Sequence, residues 1–398
     1  MSILFKPMKL GEMEISNRFI RSATYEAMAK ENGEISDKLI KLYQTLAKGN
    51  IGLIISSLSA VNSIGRSTKY EISLHNDDMI PGMQKLVNAI HQENGKIAFQ
   101  LYHAGLQTRK DFIGTKPIAP SSKIRNPLTF AKPKEMSEEQ IDETIKAFGE
   151  ATRRVIEAGA DAIQIHAAHT YLINQFISPF FNHRKDKWGG SDENLFRFLK
   201  EVILEVKKIL PKDKALLVKL NTDDHTKREG IKPPLAAKYA KWLTDLGIDA
   251  LEISCGTSWF NIFTLCRGDV PVSEIVQALP SWKRPLGKMI FKKRKGKFDF
   301  IEPYNLEAAK VIKPVIGDLP LILVGGIRKM DQMEDILNNK YADLISMSRP
   351  FIREPYLVKS LKEGKKTSSD CLSCNRCIAA IFNDIPVGCY VQGFPKKK

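Results

Sequence analysis

Two histidines and a tyrosine follow an apolar run in the middle of the chain, and together they could perform proton chemistry. The run 162–165 is typical of a buried strand. It is followed by the three side chains His166, His169 and Tyr171. In a barrel of parallel strands, catalytic groups lie at the carboxyl ends of the strands. Two imidazoles and a phenol there can donate hydrogen bonds to one substrate oxygen and supply a proton.

A metal-binding or purely structural role for the two histidines is the alternative. A catalytic zinc site needs a third protein ligand and an open position. No acidic residue lies at a suitable local spacing from His166 and His169. Two polar side chains at a strand end can also simply satisfy each other, so the histidine spacing alone does not decide between these roles.

The second group of reactive side chains is a cluster of cysteines near the C-terminus. Cys371, Cys374, Cys377 and Cys389 are four of the six cysteines, and they have the spacing Cys-x2-Cys-x2-Cys-x11-Cys. Structural disulfides are not expected in a chain that lacks features of secretion. Four thiolates could hold zinc or a [4Fe–4S] cluster. Three close cysteines and a distant fourth favour the cluster over the paired spacing of zinc ribbons, with zinc or free thiols as the alternatives.

The elements that would position these groups alternate between apolar strands and helical patterns. Such alternation predicts parallel βα units. Eight strands suit a closed (β/α)8 TIM barrel, with an open doubly wound sheet as the alternative. No Gly-x-Gly-x-x-Gly motif follows a strand, which weakens the alternative. The predicted strands span 19–23, 52–57, 97–101, 162–166, 216–220, 250–254, 321–324 and 344–347, and the clearest helices span 137–158, 193–209, 234–246 and 305–316.

The segment 256–304, between the sixth and seventh predicted strands, is long for a βα connection. It contains Trp259, Phe260 and a basic cluster. Because loops at this end of a barrel shape substrate pockets, we interpret the segment as a lid or capping subdomain. A surface excursion or an oligomer contact is the alternative. The predicted domains are therefore a barrel over 1–360 that carries this insertion, and a cysteine-rich tail over 361–398.

Composition limits the class of protein. The net charge of +16 raises the question of nucleic-acid binding, but no nucleic-acid motif or interleaved stacking aromatics accompany the lysines. A solvated basic surface is the preferred interpretation, including the terminal lysines 396–398. The cluster 288–297 could bind an acidic partner or an anionic substrate tail such as a coenzyme A phosphate. The chain starts without a signal peptide and has no long apolar run, so we expect a cytoplasmic protein without a membrane span.

Two short motifs after the last predicted strands could bind a phosphate. Gly325 and Gly326 follow the seventh strand, and Ser348 and Arg349 follow the eighth. Glycines let backbone N–H groups approach a phosphate, and arginine adds a bidentate charged contact. The loops after strands seven and eight are the usual phosphate site of a TIM barrel. A tight turn would explain the glycines alone, but it does not explain their combination with Ser348 and Arg349.

The chain resembles the old yellow enzyme family of FMN-dependent oxidoreductases. The resemblance rests on His166-Ala-Ala-His169-Thr-Tyr171 and on the Gln-Phe-x-Ser-Pro, Asn-x-Arg-x-Asp and Gly-Gly-Ser-x-Glu-Asn motifs that follow it. It extends from about residue 5 to about residue 357, apart from 256–304. Thr170 is a departure, because the family usually has glycine there, and Trp188 replaces a common tyrosine. Thr170 is expected to alter the backbone that holds Tyr171.

The resemblance implies a role for each site residue. His166 and His169 would bind the activating carbonyl of a substrate and Tyr171 would supply a proton. Gly325, Gly326, Ser348 and Arg349 would bind the FMN phosphate. The remaining flavin contacts would be Gln100 at the pyrimidine edge, Lys219 near N1 and O2, either Thr24 or Tyr25 near O4, and Ser57.

The cysteine tail is similar to that of a branch of this family that includes trimethylamine dehydrogenase and 2,4-dienoyl-CoA reductase. This implies a [4Fe–4S] cluster on Cys371, Cys374, Cys377 and Cys389 that exchanges electrons with an external donor or acceptor, such as an electron-transfer protein, or that is vestigial. The expected function is FMN-dependent reduction of activated C=C bonds, with NAD(P)H as reductant and a small-molecule substrate. One alternative is amine oxidation through the cluster, in a pocket with aromatic residues such as Trp259 and Phe260. The alternative from another class is a non-catalytic basic binding protein. Oligomerisation is left open.

Overall fold

Eight parallel strands form a closed barrel in the computed structural model, which describes residues 2–127, 130–226 and 228–395 and, of Trp259, the backbone alone. Lysines 396–398 and the Trp259 side chain therefore lie outside the described residues. The strands in chain order are β1 (Met8–Leu10), β2 (Met13–Ile15), β3 (Phe19–Arg21), β4 (Leu53–Ala60), β5 (Ile72–Ser73), β6 (Ile97–Tyr102), β7 (Ile118–Ala119), β8 (Lys134–Glu135), β9 (Ala162–Ala167), β10 (Ala215–Asn221), β11 (Ala250–Ser254), β12 (Leu321–Val324) and β13 (Leu344–Met347).

The barrel closes through β3, which pairs with both the last strand and the next strand of the chain. Its register places Phe19 opposite Ile345 of β13, and Ile20 opposite Leu53 of β4. The other barrel strands are β6, β9, β10, β11 and β12, joined in parallel in that order. Residues of β4 and β10 are buried along their whole length, as expected for parallel strands covered on both faces. The predicted (β/α)8 barrel is confirmed.

Amphipathic helices surround the barrel. The longest, α4, begins with the predicted capping box, in which the Ser137 hydroxyl accepts from the backbone N–H of Gln140 and the Gln140 side chain accepts from the backbone N–H of Ser137. The helices are α1 (Asp37–Lys48), α2 (Ile80–His91), α3 (Lys110–Ile113), α4 (Glu138–Glu157), α5 (Leu172–Ile177), α6 (Asp192–Ile209), α7 (Pro233–Asp245), α8 (Ser258–Leu265), α9 (Val272–Ile275), α10 (Arg284–Lys292), α11 (Leu306–Ile316), α12 (Met330–Asn338), α13 (Arg349–Arg353), α14 (Leu357–Lys362) and α15 (Arg376–Phe382).

The hairpin of β1 and β2 contributes to an apolar cluster in the barrel interior. Leu10, Met13 and Ile15 are buried together with Ile20 and Leu217 of the barrel strands. This hairpin was not predicted from the sequence, because each of its strands has only three residues. These apolar side chains fill the interior near the start of the strands, so space for a ligand remains at their carboxyl ends.

The long insertion after β11 and the cysteine tail pack against each other. Phe263 and Ile275 of the insertion form one apolar cluster with Ala379 of the tail. Arg376 forms an ion pair with Glu274 at 2.9 Å. We call residues 256–304 and 371–394 together the capping unit. In the described part of the chain, no helix combines the length and apolar character that crossing a membrane requires.

Candidate functional site

A cavity of about 750 Å³ opens at the carboxyl ends of the barrel strands and extends under the capping unit. The capping unit contributes part of its wall, including Ile262, Phe291 and Tyr304. This position favours the predicted lid interpretation of the insertion. Eleven residues predicted as catalytic or flavin-binding line the cavity: His166, His169, Tyr171, Thr24, Tyr25, Gln100, Lys219, Gly325, Gly326, Ser348 and Arg349.

Ser57 is the exception among the predicted flavin contacts. The pairing of β4 with β6 shifts its register between Ile55 and Leu58. The Ser57 backbone N–H donates to the Tyr43 hydroxyl at 2.7 Å, and the cavity wall at this point is Leu58. The shift in β4 places Leu58 on the cavity wall, and Ser57 is not among the residues that line it, so the flavin contact of Ser57 stays a prediction.

The floor of the cavity carries a buried ion pair. The Lys219 ammonium donates to the Ser22 hydroxyl at 2.8 Å and lies 3.2 Å from Oε2 of Glu252. Both charged side chains are almost completely shielded from solvent. A cation at this place can stabilise negative charge that develops on a ligand in the cavity, because few water molecules are present to screen it.

Glu252 is the centre of a larger hydrogen-bond network. Besides Lys219, its carboxylate accepts from Ser22 at 2.8 Å and from Ser346 at 2.9 Å. It also accepts from the Gln164 side chain at 2.7 Å. The four donors come from β9, β10, β13 and the residue after β3. One carboxylate on β11 therefore connects side chains from four other parts of the barrel.

Gln100 is attached to the same network. Its Nε2 donates to Oε1 of Gln164 at 2.7 Å, and its own Oε1 is buried without a partner. A buried carbonyl oxygen without a donor is costly unless a ligand supplies one. A ring N–H at the edge of a flavin is such a donor, so the position of Gln100 fits its predicted role.

His166 and His169 lie side by side at the end of β9. Their ring centroids are 5.0 Å apart and the rings are nearly perpendicular. His169 Nε2 is 2.7 Å from the Ser254 hydroxyl, whereas His166 Nδ1 has no partner. Burial lowers the pKa of both imidazoles well below the usual range, and nearby Lys219 lowers it further. Both rings are therefore neutral near pH 7, and each carries one N–H donor.

Tyr171 completes this group. Its ring centroid is 5.0 Å from that of His166 and 4.9 Å from that of Tyr102. Burial raises the pKa of the Tyr171 phenol, and the charge of Glu71 adds to this effect. The phenol therefore keeps its proton at neutral pH and can donate it to a substrate.

The backbone between the histidines and the tyrosine is strained. His169 has a φ of 61° and Thr170 has a φ of 67°. A β-branched residue is rare in this left-handed region, where glycine is favoured. The Thr170 N–H donates to Asn174 at 2.6 Å, and the Thr170 carbonyl accepts from Gln175 at 2.7 Å. These two bonds hold the turn in spite of the threonine side chain.

The predicted phosphate residues meet at the far end of the cavity. Gly325 and Gly326 have φ values of 127° and 75°, and a Cβ on Gly326 would lie 2.4 Å from the Ile301 carbonyl oxygen. Close packing against the capping unit therefore requires these glycines independently of any ligand. Across the same region, the hydroxyls of Thr24 and Ser348 are 2.7 Å apart.

Arg349 lies between the cavity and the cysteines. Its Nη1 donates to the Arg267 carbonyl and to the Asn375 side chain, each at 2.7 Å. A recess of about 20 Å³ lies on the other side of the guanidinium. Arg349, Cys371 and Ser373 line both spaces, so the cavity and the recess share a wall.

All four cysteines of the predicted cluster site, Cys371, Cys374, Cys377 and Cys389, line this recess. Among the described residues, no three histidine, cysteine or acidic side chains are arranged to hold one metal ion. A [4Fe–4S] cluster makes a different demand, because its four cysteines each bind a different iron. The donor type and the convergence on one recess fit such a cluster, and Cys255 and Cys266 lie outside it.

Gln164 and Glu252, which join Gln100 to Lys219, were not predicted from the sequence. Both are polar residues at interior positions of otherwise apolar strands, and this was the available signal. Buried polar groups need partners, so a glutamate inside a strand indicates a donor elsewhere in the fold. The sequence does not show that Lys219 is that donor, because 32 residues separate the two positions.

Known proteins resemble this chain over nearly its whole length. It is 34% identical to an NADPH dehydrogenase of Bacillus subtilis (strain 168) over 92% of this chain and 95% of that protein. A 2-naphthoyl-CoA reductase solved with 2-naphthoyl-CoA superposes with a TM-score of 0.83 at 26% identity. The match covers 98% of this chain but 56% of that protein.

A solved old yellow enzyme homologue from Zymomonas mobilis superposes with a TM-score of 0.72 at 25% identity, covering 93% of this chain and 95% of that one. The model of the NADH:flavin oxidoreductase / NADH oxidase family matches residues 3–258 and 271–368. The barrel and the FMN-dependent, NAD(P)H-using enzyme class predicted from the sequence are confirmed. The chain therefore belongs to the NADH:flavin oxidoreductase / NADH oxidase family, the old yellow enzyme family.

Proposed function

We propose that this protein reduces C=C bonds activated by a carbonyl group, such as those of enones and enoyl thioesters. The observation that carries the proposal is that His166, His169 and Tyr171 lie side by side in the cavity that the buried cation of Lys219 also lines. When bound, FMN supplies the hydride, and NAD(P)H is the source of its electrons. The relative solved with 2-naphthoyl-CoA supports a carbonyl-activated substrate.

The residues of the chain have separate tasks in this reaction. The neutral imidazoles of His166 and His169 each donate an N–H to the substrate carbonyl oxygen, and this stabilises the negative charge that develops there. Tyr171 remains protonated and delivers its proton to the carbon next to the carbonyl. Lys219 and Gln100 would help to hold the cofactor, Lys219 through its positive charge and Gln100 through its unpartnered carbonyl oxygen.

The direct test compares electron donors and acceptors on the purified flavoprotein. NADPH or NADH should reduce the flavin, and an enone or enoyl thioester should reoxidise it with formation of the saturated product. Tyr171→Phe should slow alkene turnover by about 10²-fold or more, because the proton donor is lost, while flavin reduction by NAD(P)H persists. Reoxidation by alkenes at the parental rate in this variant would contradict the role of Tyr171.

The phosphate assignment has its own test. Arg349→Ala should lower the FMN content of the purified protein, because Arg349 supplies the charged contact of the proposed phosphate site. Arg353→Ala is the matched control, since Arg353 lies one turn further along α13 and does not line the cavity. Equal FMN content in both variants would refute the assignment of Arg349.

Amine oxidation is the alternative that the sequence left open. Aromatic side chains such as Phe291, Phe300 and Phe382 do line the cavity, but they are not the residues predicted for the amine pocket. Phe260 packs against Phe181 with a centroid distance of 5.5 Å and is not among the residues that line the cavity. The side chain of Trp259 lies outside the described residues. Flavin reduction by amines in the absence of NAD(P)H would favour this alternative.

We also propose that Cys371, Cys374, Cys377 and Cys389 hold a [4Fe–4S] cluster that exchanges electrons with an external redox protein. The support is their convergence on one recess that shares a wall with the cavity. Protein purified without oxygen should contain about four irons and four sulfides per chain. Cys377→Ser should abolish this content, whereas Cys255→Ser should not. Iron-free protein with intact flavin would reject the cluster and leave the ene-reductase proposal standing.

A further inference from the structure

The capping unit presents an apolar stripe to solvent on one side of α10. Trp282, immediately before the helix, is 75% exposed, and Leu286, Met289 and Ile290 are 57%, 50% and 44% exposed. Their spacing places them on one face of the helix. A group of large, neighbouring apolar side chains with such exposure marks an interaction surface. We call these four residues the α10 stripe.

The other side of α10 anchors it to the protein. Gly287 is buried, and a Cβ at this position would lie 2.5 Å from the Leu279 side chain. Phe291 packs into the apolar cluster of the capping unit and lines the cavity. The helix is therefore held by one face, so the exposure of the stripe is not explained by a loose attachment.

Cations surround the stripe without any acidic residue between positions 281 and 298. Within the part of the chain that the structure describes, only Lys295 of this group has a carboxylate within ion-pair distance, Asp269 at 3.6 Å. Long basic side chains flanking a tryptophan and aliphatic residues are typical of helices that lie at a membrane interface. The cations are Lys283, Arg284, Lys288, Lys292, Lys293, Arg294, Lys295 and Lys297.

We propose that the α10 stripe binds the surface of an anionic lipid bilayer. Seven of these cations are exposed and match a continuous negative surface, where each of them lowers the free energy of binding, whereas Arg294 lines the cavity. The stripe supplies the apolar side chains that enter the boundary between headgroups and acyl chains. This proposal differs from the prediction that the protein has no membrane partner, and such peripheral binding requires no membrane-spanning helix.

The position of the stripe connects it with the reaction. Phe291, Arg294 and Phe300 line the cavity and belong to the same segment as the stripe. A bilayer in contact with α10 would therefore lie next to the wall of the substrate cavity. Apolar carbonyl compounds concentrate in membranes, so this arrangement would bring such substrates to the cavity without passage through bulk water.

The test is flotation of the full FMN-loaded chain with two kinds of vesicle. Vesicles with equal parts of phosphatidylcholine and phosphatidylglycerol should bind the protein, and pure phosphatidylcholine vesicles should not. Lys288→Gln with Lys292→Gln should weaken binding roughly fivefold for each cation removed, or about 25-fold for the pair. Lys38→Gln with Lys41→Gln, two exposed cations on α1, should bind like the parent.

The apolar contribution is tested separately, because a net charge of +16 could cause non-specific adsorption. Leu286→Ser with Met289→Ser should abolish flotation, whereas Val311→Ser with Val315→Ser, exposed on α11, should not. FMN content and NAD(P)H-dependent flavin reduction should be unchanged in all variants, which confirms folding. Binding that is insensitive to the stripe variants would overturn the proposal, as would a dimer of the parent that dissociates when the stripe is changed.

Discussion

The floor of the cavity and the capping unit hold their charged groups in opposite ways. On the floor, Glu252 and Lys219 are buried and every contact of the carboxylate comes from a different part of the barrel. In the capping unit, Glu274 pairs with Arg376, whose side chain is 36% exposed. The comparison indicates that the floor is a fixed scaffold for the cofactor. The capping unit can change its surface without disturbing that scaffold.

The largest expected effect separates these two ion pairs. Glu252→Gln should lower the free energy of unfolding by about 3–5 kcal/mol, because the Lys219 charge is left buried without a counter-charge. Glu274→Gln should cost less, about 1–2 kcal/mol, because Glu274 is buried but the side chain of its partner Arg376 is 36% exposed and stays partly hydrated. Urea unfolding of both variants measures the difference. Equal losses of stability in the two variants would mean that the buried ion pair of the floor matters no more for folding than the ion pair of the capping unit.

The next largest expected effect is on the rate of alkene reduction. His166→Ala and His169→Ala should each reduce kcat/KM for alkene reduction by about 10²–10³-fold, because each removes a donor to the developing oxyanion. Reduction of the flavin by NAD(P)H should persist in both. His183→Ala, which changes a histidine outside the cavity wall, is the control. Parental alkene turnover in the two site variants would show that the histidines are structural.

All seven histidines lie outside the capping unit, so sensitivity to acid should belong to the barrel. Burial lowers the pKa of His103 from 6.5 to about 3. Below pH 6.5 the unfolded chain binds a proton that the folded chain does not, so this contribution to stability is lost as pH falls. Between pH 6.5 and 4.5, the free energy of unfolding of the parent should therefore fall as the pH falls. In His103→Asn this dependence on pH should be weaker by about 1.4 kcal/mol per pH unit. Parallel slopes for variant and parent would contradict this.

The smallest expected effect concerns backbone strain in the two regions. Thr170→Gly should raise the free energy of unfolding by about 1 kcal/mol, because it relieves a left-handed β-branched residue. Asn375→Gly, at a φ of 57° in the capping unit, should instead lower it, since Asn375 donates to the Cys266 and Asp269 carbonyls. Thermal unfolding of both variants shows whether each substitution raises or lowers the stability. A gain in both variants would show that strain outweighs these contacts.

Sequence patterns predicted the parts of the molecule that depend on local order. Each predicted strand overlaps a barrel strand, because apolar runs of this length are visible in the chain itself. The cavity residues followed from motifs at the ends of those strands. Whether Ser57 or Leu58 faces the cavity depends on a register shift in the pairing of β4 with β6, and the sequence does not show that shift.

Contacts between distant parts of the chain were not predictable in this way. The link from Gln100 through Gln164 to Glu252 joins three strands, and one sequence does not show which polar residues meet. The contact of the tail with the insertion has the same cause: Arg376 and Glu274 lie far apart in the sequence. The division into a barrel with an insertion and a separate tail stays a prediction. In the structure, the insertion and the tail pack against each other.

The arrangement around Glu252 has a consequence for how this family can diverge. A single replacement of the carboxylate leaves four donors without their acceptor, and a replacement of Lys219 alone leaves a buried anion. A chain in which only one of these residues is replaced is therefore expected to be less stable than a chain with the intact network. It is also expected to be less stable than a chain in which the whole network has been replaced. We expect strong epistasis among these positions, so that the network persists or is exchanged as a set.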